Sequence, residues 1–344
     1  MRGSARSLID APGGALVLES VVRSGVELKD VLRIAVVGCG HLGTMHARAA
    51  ARLPGVSLEA TVDLVEERAR AAGGRIVATH ASEIFGGVDA AVIATPTTTH
   101  AEVGLAFLRA GIPVLIEKPL AATAPEAAAL AAEAARANVP LQVGHIERFN
   151  PAVRAARPLI RGPLFIESHR LAVFVPRSLD VDVVRDLMIH DLDLVLHLVG
   201  APLESVDAAG VAVLTNAADI ANARLRFANG AVANLTASRV SREKVRKIRF
   251  FERNAYISID CLARSAEAFR LAPGDGPFGR RVEGGPLPVE PSDALEEQLR
   301  AFVRAVRGEA PVEVTGADGL AALEAAVRIE QGVAESLARV GIAG

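Results

Sequence analysis

The tightest constraint on this chain is the run Ile34-Ala35-Val36-Val37-Gly38-Cys39-Gly40-His41-Leu42-Gly43. It is a short apolar segment that breaks into Gly-x-Gly-x-x-Gly and continues as a helical pattern. A buried strand, a tight turn and a helix N-terminus in that order form a device for binding a pyrophosphate. Gly38 allows the turn. Gly40, followed by His41 and Leu42, lets backbone amides approach the phosphates, and Gly43 lets the helix pack closely on the strand. A Gly-rich hexamer alone would fit a turn in many α/β proteins. Here a second apolar run, 56–62, ends in Asp63, twenty residues beyond Gly43. A carboxylate at that point accepts both ribose hydroxyls of an adenosine and repels a 2′-phosphate, so the cofactor expected is NAD in preference to NADP. Arg68 and Arg70 lie close enough in sequence to soften that preference.

The surrounding segments extend the same grammar. Strand-like runs at 33–37, 56–62, 88–94, 112–117 and 140–143 alternate with Ala-rich amphipathic stretches at 42–52, 65–73, 98–110 and 123–137. Such alternation with short connections predicts a doubly wound parallel sheet, a Rossmann domain over 31–150. Ligands on these sheets bind beyond the carboxyl ends of the strands. Those ends read Gly38, Asp63, Thr95-Pro96, Glu117-Lys118-Pro119 and Gly144-His145. After Pro151 a helix (151–161), an extended run (164–175) and a strong helical pattern (183–199) lead into alternating segments near 203–214, 219–228, 231–240, 246–252 and 255–260. Asn229-Gly230 marks a hairpin between two of them. The expectation is an α+β second domain, 151–344, with a mainly antiparallel open sheet. Gly274-Asp275-Gly276-Pro277 and Gly284-Gly285-Pro286 read as loops, and two helices, 291–307 and 315–340, follow. The last helix is expected to pack back on the first domain. Residues 1–30 read as an extension: a disordered arm, a small extra helix or a mis-called start.

Composition narrows the function. A formal net charge of −2 offers no basic surface for nucleic acid or an anionic membrane. The apolar run 15–18 is too short for a signal-peptide core, and no stretch has the length of a membrane span. Two cysteines, Cys39 and Cys261, form neither a disulfide framework nor a zinc site, which points to a reduced cytoplasm. No metal is expected.

The chemistry is expected in two places. Lys118, after a strand end on the cofactor edge, points an ammonium toward a developing alkoxide. The alternative is a surface lysine that happens to end a strand. In the helix 183–199, Asp186, His190, Asp193 and His197 step by four, three and four, so they share a face. Asp186 one turn before His190 can orient the imidazole for acid–base work; a solvated Asp–His pair or a metal site are the alternatives. His100, opening a helix after Thr95 and Pro96, and Glu117 join the cofactor edge. His145, Arg148 and Asn150 sit where the two domains meet, a common place for a binding cleft. They could hold ligand there or brace the junction. His46 reads as packing.

Together these residues resemble the Gfo/Idh/MocA oxidoreductases. The resemblance runs through Gly38-x-Gly40-x-x-Gly43, Asp63, Thr95-Pro96 with His100, Glu117-Lys118-Pro119, Arg148-Phe149-Asn150-Pro151 and Asp186-x-x-x-His190-x-x-Asp193, over about 33–340. It implies NAD-dependent oxidation of a sugar hydroxyl, with Lys118, His190 and Asp186 as the catalytic set and His145, Arg148, Asn150 and Asp193 at the substrate. It also implies a homodimer or homotetramer built on the open sheet. The chain departs from the family at Val183-Val184-Arg185, where many members have a Gly-rich segment. Gly144-His145-Ile146-Glu147-Arg148-Phe149-Asn150-Pro151 and the segment 186–193 are most similar to the branch that oxidises C3 of UDP-N-acetylglucosamine ahead of an aminotransferase, on the way to the 2,3-diamino sugars of lipid A. A uridine diphosphate group would need cations from the second domain, and Arg170, Arg177 and Arg239 are candidates. An inositol, free-hexose or other nucleotide-sugar dehydrogenase, and a non-catalytic dinucleotide sensor, are the competing readings.

Overall fold

A computed structural model of the chain describes residues 31–175 and 182–339. The expectations for 1–30, and Arg177, lie outside the described residues. The first half runs β1 (Leu32–Val37), α1 (His41–Arg52), β2 (Val56–Val62), α2 (Glu66–Ala72), β3 (Ile76–Ala78), β4 (Ala90–Ile93), α3 (His100–Arg109), β5 (Val114–Glu117), α4 (Ala124–Ala137) and β6 (Leu141–Gly144). Every residue of β4, β5 and β6 is buried, as apolar strands covered on both faces require. The six strands are parallel in the order β3-β2-β1-β4-β5-β6. The order reverses between β1 and β4, and that switch point opens a crevice at the strands' carboxyl ends. The sequence reading missed β3, which is only three residues long. Helix α4 starts with a capping box in which Thr123 and Glu126 each accept the other's backbone N–H.

The second half comprises α5 (Pro151–Ala156), β7 (Phe165–Leu171), a π-helical turn (Val184–Met188), α6 (Ile189–Val199), β8 (Leu203–Val211), β9 (Ile220–Phe227), β10 (Val232–Ser238), β11 (Val245–Phe251), β12 (Ala255–Asp260), β13 (Ser265–Pro273), β14 (Arg280–Pro286), α7 (Ala294–Val306) and α8 (Gly316–Arg339). Its eight strands pair in the order β14-β13-β12-β11-β7-β10-β9-β8, antiparallel except for the β10–β7 pair. Alternate residues of β9, β10 and β12, among them Ala223, Leu225, Leu235 and Ile257, bury one face under α6 and α8. Asn229 and Gly230 make the expected β9–β10 turn, with Gly230 at φ 86°.

One expectation is corrected. Gly284-Gly285-Pro286 is not a loop but the end of β14, paired with Glu267 to Phe269. A Cβ at Gly284 would stand 2.0 Å from the Ala268 carbonyl oxygen, so glycine marks a close backbone approach on an edge strand, where proline is also tolerated. The C-terminal helices pack against both halves of the molecule. Leu295, Leu299 and Phe302 of α7 pack with Ile34 and Val36 of β1. Helix α8 contributes Leu323 to the first core and Ala325, Ile329 and Val333 to the second, which ties the two halves together.

Candidate active site

The phosphate turn is built as its glycines require. Gly38 has φ 86°, and a Cβ there would come within 2.6 Å of the Thr95 nitrogen at the end of β4. A Cβ at Gly43 would lie 1.7 Å from the Gly38 oxygen, so the helix could not seat on the turn with any larger residue. At Gly40 a Cβ would meet nothing within 4 Å, so the space above the turn is open. Helix α1 begins there with no side-chain cap and no acidic residue in its first turn. Its leading N–H groups, from His41 and Leu42 onward, are left for an anion. Asp63 accepts the Cys39 N–H at 2.8 Å through one oxygen and the Val65 N–H at 2.9 Å through the other. Each oxygen keeps lone-pair capacity for a ribose hydroxyl. These residues fit a dinucleotide. The Cys39 thiol, pushed up to about 11 by burial and by the Asp63 charge, stays protonated and inert.

Behind this edge the polar residues act as struts. Glu117 is buried, and its carboxylate meets His46 Nε2 at 2.7 Å and the Lys118 N–H at 3.2 Å. Burial pushes this carboxyl up, yet the His46 hydrogen bond and the charges beside it outweigh burial and hold the group below its usual range. Gly144 gives it room, since a Cβ there would sit 2.8 Å from Glu117 Oε2. His100 is buried too, its ring nitrogens 2.9 Å from the Pro119 and Thr95 carbonyl oxygens. Thr99 Oγ1 donates to Thr95 Oγ1 at 2.9 Å. The polar side chains of His100 and Glu117, expected on the cofactor edge, are hydrogen-bonded within the protein. Their polar atoms already have partners in the protein, and what they do is clamp the Thr95-Pro96 and Pro119 loops to the strand ends and to α1.

Lys118 crosses from this edge to the second half of the molecule. Its Nζ donates to the Asp186 carbonyl oxygen at 2.7 Å and lies 3.9 Å from Asp186 Oδ1. Burial lowers the Lys118 ammonium from its ordinary value, against the opposing pull of the Asp186 and Glu117 charges. His190 sits beside it. Burial, and then the positive charges of Lys118 and Arg170, push its imidazole well below the ordinary value, so it is neutral at pH 7. The expected Asp186–His190 pair is not formed: His190 Nδ1 is buried without a partner. The reason is the π turn over Val184–Met188, whose i→i+5 bonds take Asp186 out of the four-residue register an α-helix would keep. Asp186 faces Lys118 instead. The turn is fixed from outside by Arg185, which reaches Glu330 of α8 and the Ala122 carbonyl oxygen. His145 is fully buried, and neither ring nitrogen has a partner.

The other expected residues form a wall. Arg148 holds Asp193 through two hydrogen bonds of 2.7 Å and reaches Asp318 at 3.4 Å. Asn150 caps α5 by accepting the Ala152 N–H and donates to Glu147 and the Cys261 carbonyl oxygen, both at 3.0 Å. Asp193 and His197 border a different cavity, with Arg148, Asp318 and Arg328, so the four residues of the helical stripe do not converge. Seven residues of helix, about 10 Å, separate His190 from His197. Two of the expected phosphate ligands are engaged internally. Arg170 is 3% exposed and binds Asp191 at 3.0 and 2.8 Å and Glu147 at 3.0 Å. Arg239 is buried beside Asp219, 3.5 Å away. Sequence reading missed Glu147, Asp191 and the π turn, none of which has a local signature. Among the described residues no group of three or more His, Cys, Asp or Glu could hold a metal.

Comparison with known proteins agrees with this geometry. Residues 32–145 match the Gfo/Idh/MocA oxidoreductase family with its NAD-binding Rossmann fold, and 167–257 match the family's C-terminal domain. The chain is 38% identical to the UDP-N-acetylglucosamine 3-dehydrogenase of Acidithiobacillus ferrooxidans over 90% of its own length and 99% of that protein. A solved structure of that dehydrogenase superposes with a TM-score of 0.82 over 89% of this chain and 98% of the other. An inositol 2-dehydrogenase of Rhizobium meliloti is 27% identical over 88% and 97% of the two chains. The chain belongs to the Gfo/Idh/MocA family of NAD-binding oxidoreductases.

Proposed function

We propose that this enzyme oxidises the C3 hydroxyl of UDP-N-acetylglucosamine to the 3-keto sugar with NAD as hydride acceptor. The observation that carries the substrate is the 38% identity, over nine-tenths of the chain, to a protein named for that activity. The site supplies the chemistry. The bound nicotinamide would accept the hydride from C3. His190, neutral beside Lys118, takes the hydroxyl proton. Lys118 donates a hydrogen bond to the same oxygen and lowers the energy of its alkoxide character. Asp186, beside the ammonium, keeps Lys118 charged against its burial. Arg185 holds the π turn that presents Asp186. Gly38, Gly40 and Gly43 with the N–H groups of α1 receive the pyrophosphate, and Asp63 the adenosine ribose.

The 3-keto product suits an aminotransferase, the step that leads to the 2,3-diamino sugars of lipid A, and both enzymes would work in the cytoplasm. The outward face of the eight-stranded sheet would carry the contacts of a homodimer or homotetramer. In the test, the protein is incubated with NAD and UDP-N-acetylglucosamine while hydroxylamine traps the ketone, and NADH absorbance is followed. NADH should form with this sugar and not with free N-acetylglucosamine or inositol. Turnover of inositol alone would overturn the reading and assign the chain to the polyol branch.

A further inference from the structure

The two described arginines with the right sequence signal for a diphosphate, Arg170 and Arg239, are buried in ion pairs, so the anion of a nucleotide sugar needs another anchor. We propose that Arg246, at the start of β11, binds the diphosphate of the substrate at the mouth of the Lys118–His190 site. This rests on the nucleotide-sugar reading above. Arg246 stands opposite Arg170 in the antiparallel β11–β7 ladder. Residues directly opposite in such a pair project from the same face of the sheet, here the face on which Arg170 grips Asp191, the neighbour of His190 in the chain. Arg246 therefore projects beside the acid–base residue, one strand further from the core.

Its environment differs from that of Arg170. The Arg246 side chain is 47% exposed, against 3% for Arg170. Its Nη1 lies 3.9 Å from Glu147 Oε1, beyond hydrogen-bonding distance, and that oxygen already accepts from Arg170 Nη1 at 3.0 Å. Asn150 meets the other Glu147 oxygen. Glu147 therefore orients the Arg246 guanidinium electrostatically without occupying its donors. A planar fork of five N–H groups held at the rim of a site matches a diphosphate, which accepts two parallel hydrogen bonds. The charge of Arg246 also contributes to the depressed basicity of His190, which agrees with its nearness to the reacting centre. A hexose with its C3 hydroxyl at His190 carries its diphosphate on C1, two ring positions from the reacting carbon, so a cation is needed at a short remove from the imidazole and open to solvent. Lys118 is committed to the reacting oxygen and Arg170 to two carboxylates. Arg246 meets both conditions.

The test is calorimetric titration of UDP into the wild type and into Arg246→Gln, each saturated with NAD so that the cofactor's own phosphate turn is filled. UDP should bind the wild type, and Arg246→Gln should weaken it roughly ten- to hundredfold, the loss of one or two charge-assisted hydrogen bonds. NAD affinity and the unfolding midpoint should be unchanged, and Arg246→Lys should recover part of the loss. With UDP-N-acetylglucosamine the loss should appear in KM and leave kcat nearly constant, since Arg246 does not touch the reacting carbon. Equal UDP binding by wild type and Arg246→Gln would overturn the assignment and leave the nucleotide-sugar reading standing. A wild type that neither binds UDP nor turns over its sugar would overturn both.

Discussion

Helix α6 and the turn before it carry two sets of polar side chains with opposite arrangements. Asp191 and Asp193 are buried, and each is gripped by both prongs of an arginine fork, from Arg170 and Arg148. Asp186 and His190, on the same stretch of chain, leave hydrogen-bonding capacity open: the carboxylate is 3.9 Å from Lys118, and the imidazole Nδ1 has no partner. A buried charge is tolerated when its lone pairs are filled, and a filled group has nothing left to offer a substrate. The first pair is filled by the protein itself, and the second is the pair proposed above for the chemistry. Aspartates a turn or two apart on one stretch of chain divide by what surrounds them.

The largest expected effect tests the open set. His190→Asn and Lys118→Met should each lower kcat/KM by roughly 10² to 10⁴-fold while NAD affinity, followed by fluorescence titration, stays constant. Near-wild-type turnover in both would erase the distinction. Next comes the filled set. Arg170→Met strands Asp191 and Glu147 as buried charges, and Arg148→Met does the same to Asp193. Each should destabilise folding by about 3–5 kcal/mol in urea titration. If either variant were as stable as the wild type and had lost only substrate affinity, that arginine would move to the chemical side. Asp63→Ser should weaken NAD by about tenfold and narrow the preference over NADP, as measured by the ratio of kcat/KM for the two cofactors.

The smallest effects concern pH. Burial and neighbouring cations keep His190 neutral below its ordinary 6.5, so the acid limb of kcat/KM should fall at a pH below 6.5. The lowered Lys118 should lose its proton, and activity with it, as pH rises through a value below 10.5. Asp186 favours the charged ammonium, so Asp186→Asn should move that alkaline limb further down. An unmoved limb would disconnect the two residues.

Much of this was legible in the chain. The parallel sheet followed from apolar runs spaced by helical ones, because strands covered on both faces need uninterrupted Val, Ile and Ala. Gly38, Gly43 and Asp63 were readable because their roles are local: a turn, a close packing and a strand end. Strand β14 was not readable in this way. Its Gly284 and Gly285 look like loop residues, and only pairing with β13 makes them rungs of a ladder. What glycine supplies at 284 is the missing Cβ that lets the Ala268 carbonyl approach, a requirement set by a neighbouring strand and not by the local sequence.

The sequence by itself determined which residues could do chemistry, since residue type and chain order are enough to name Lys118 and His190. Tertiary structure decided which of the candidates were still available. Arg148, Arg170, Asp193 and His100 look like ligand residues in one dimension, and each has polar atoms hydrogen-bonded to a group that is distant in the sequence or on another element. Nor could the π turn that redirects Asp186 to Lys118 be counted from an α-helical period. Hydrogen-bond satisfaction is a property of all neighbours in space, so it becomes readable only when the chain has closed on itself.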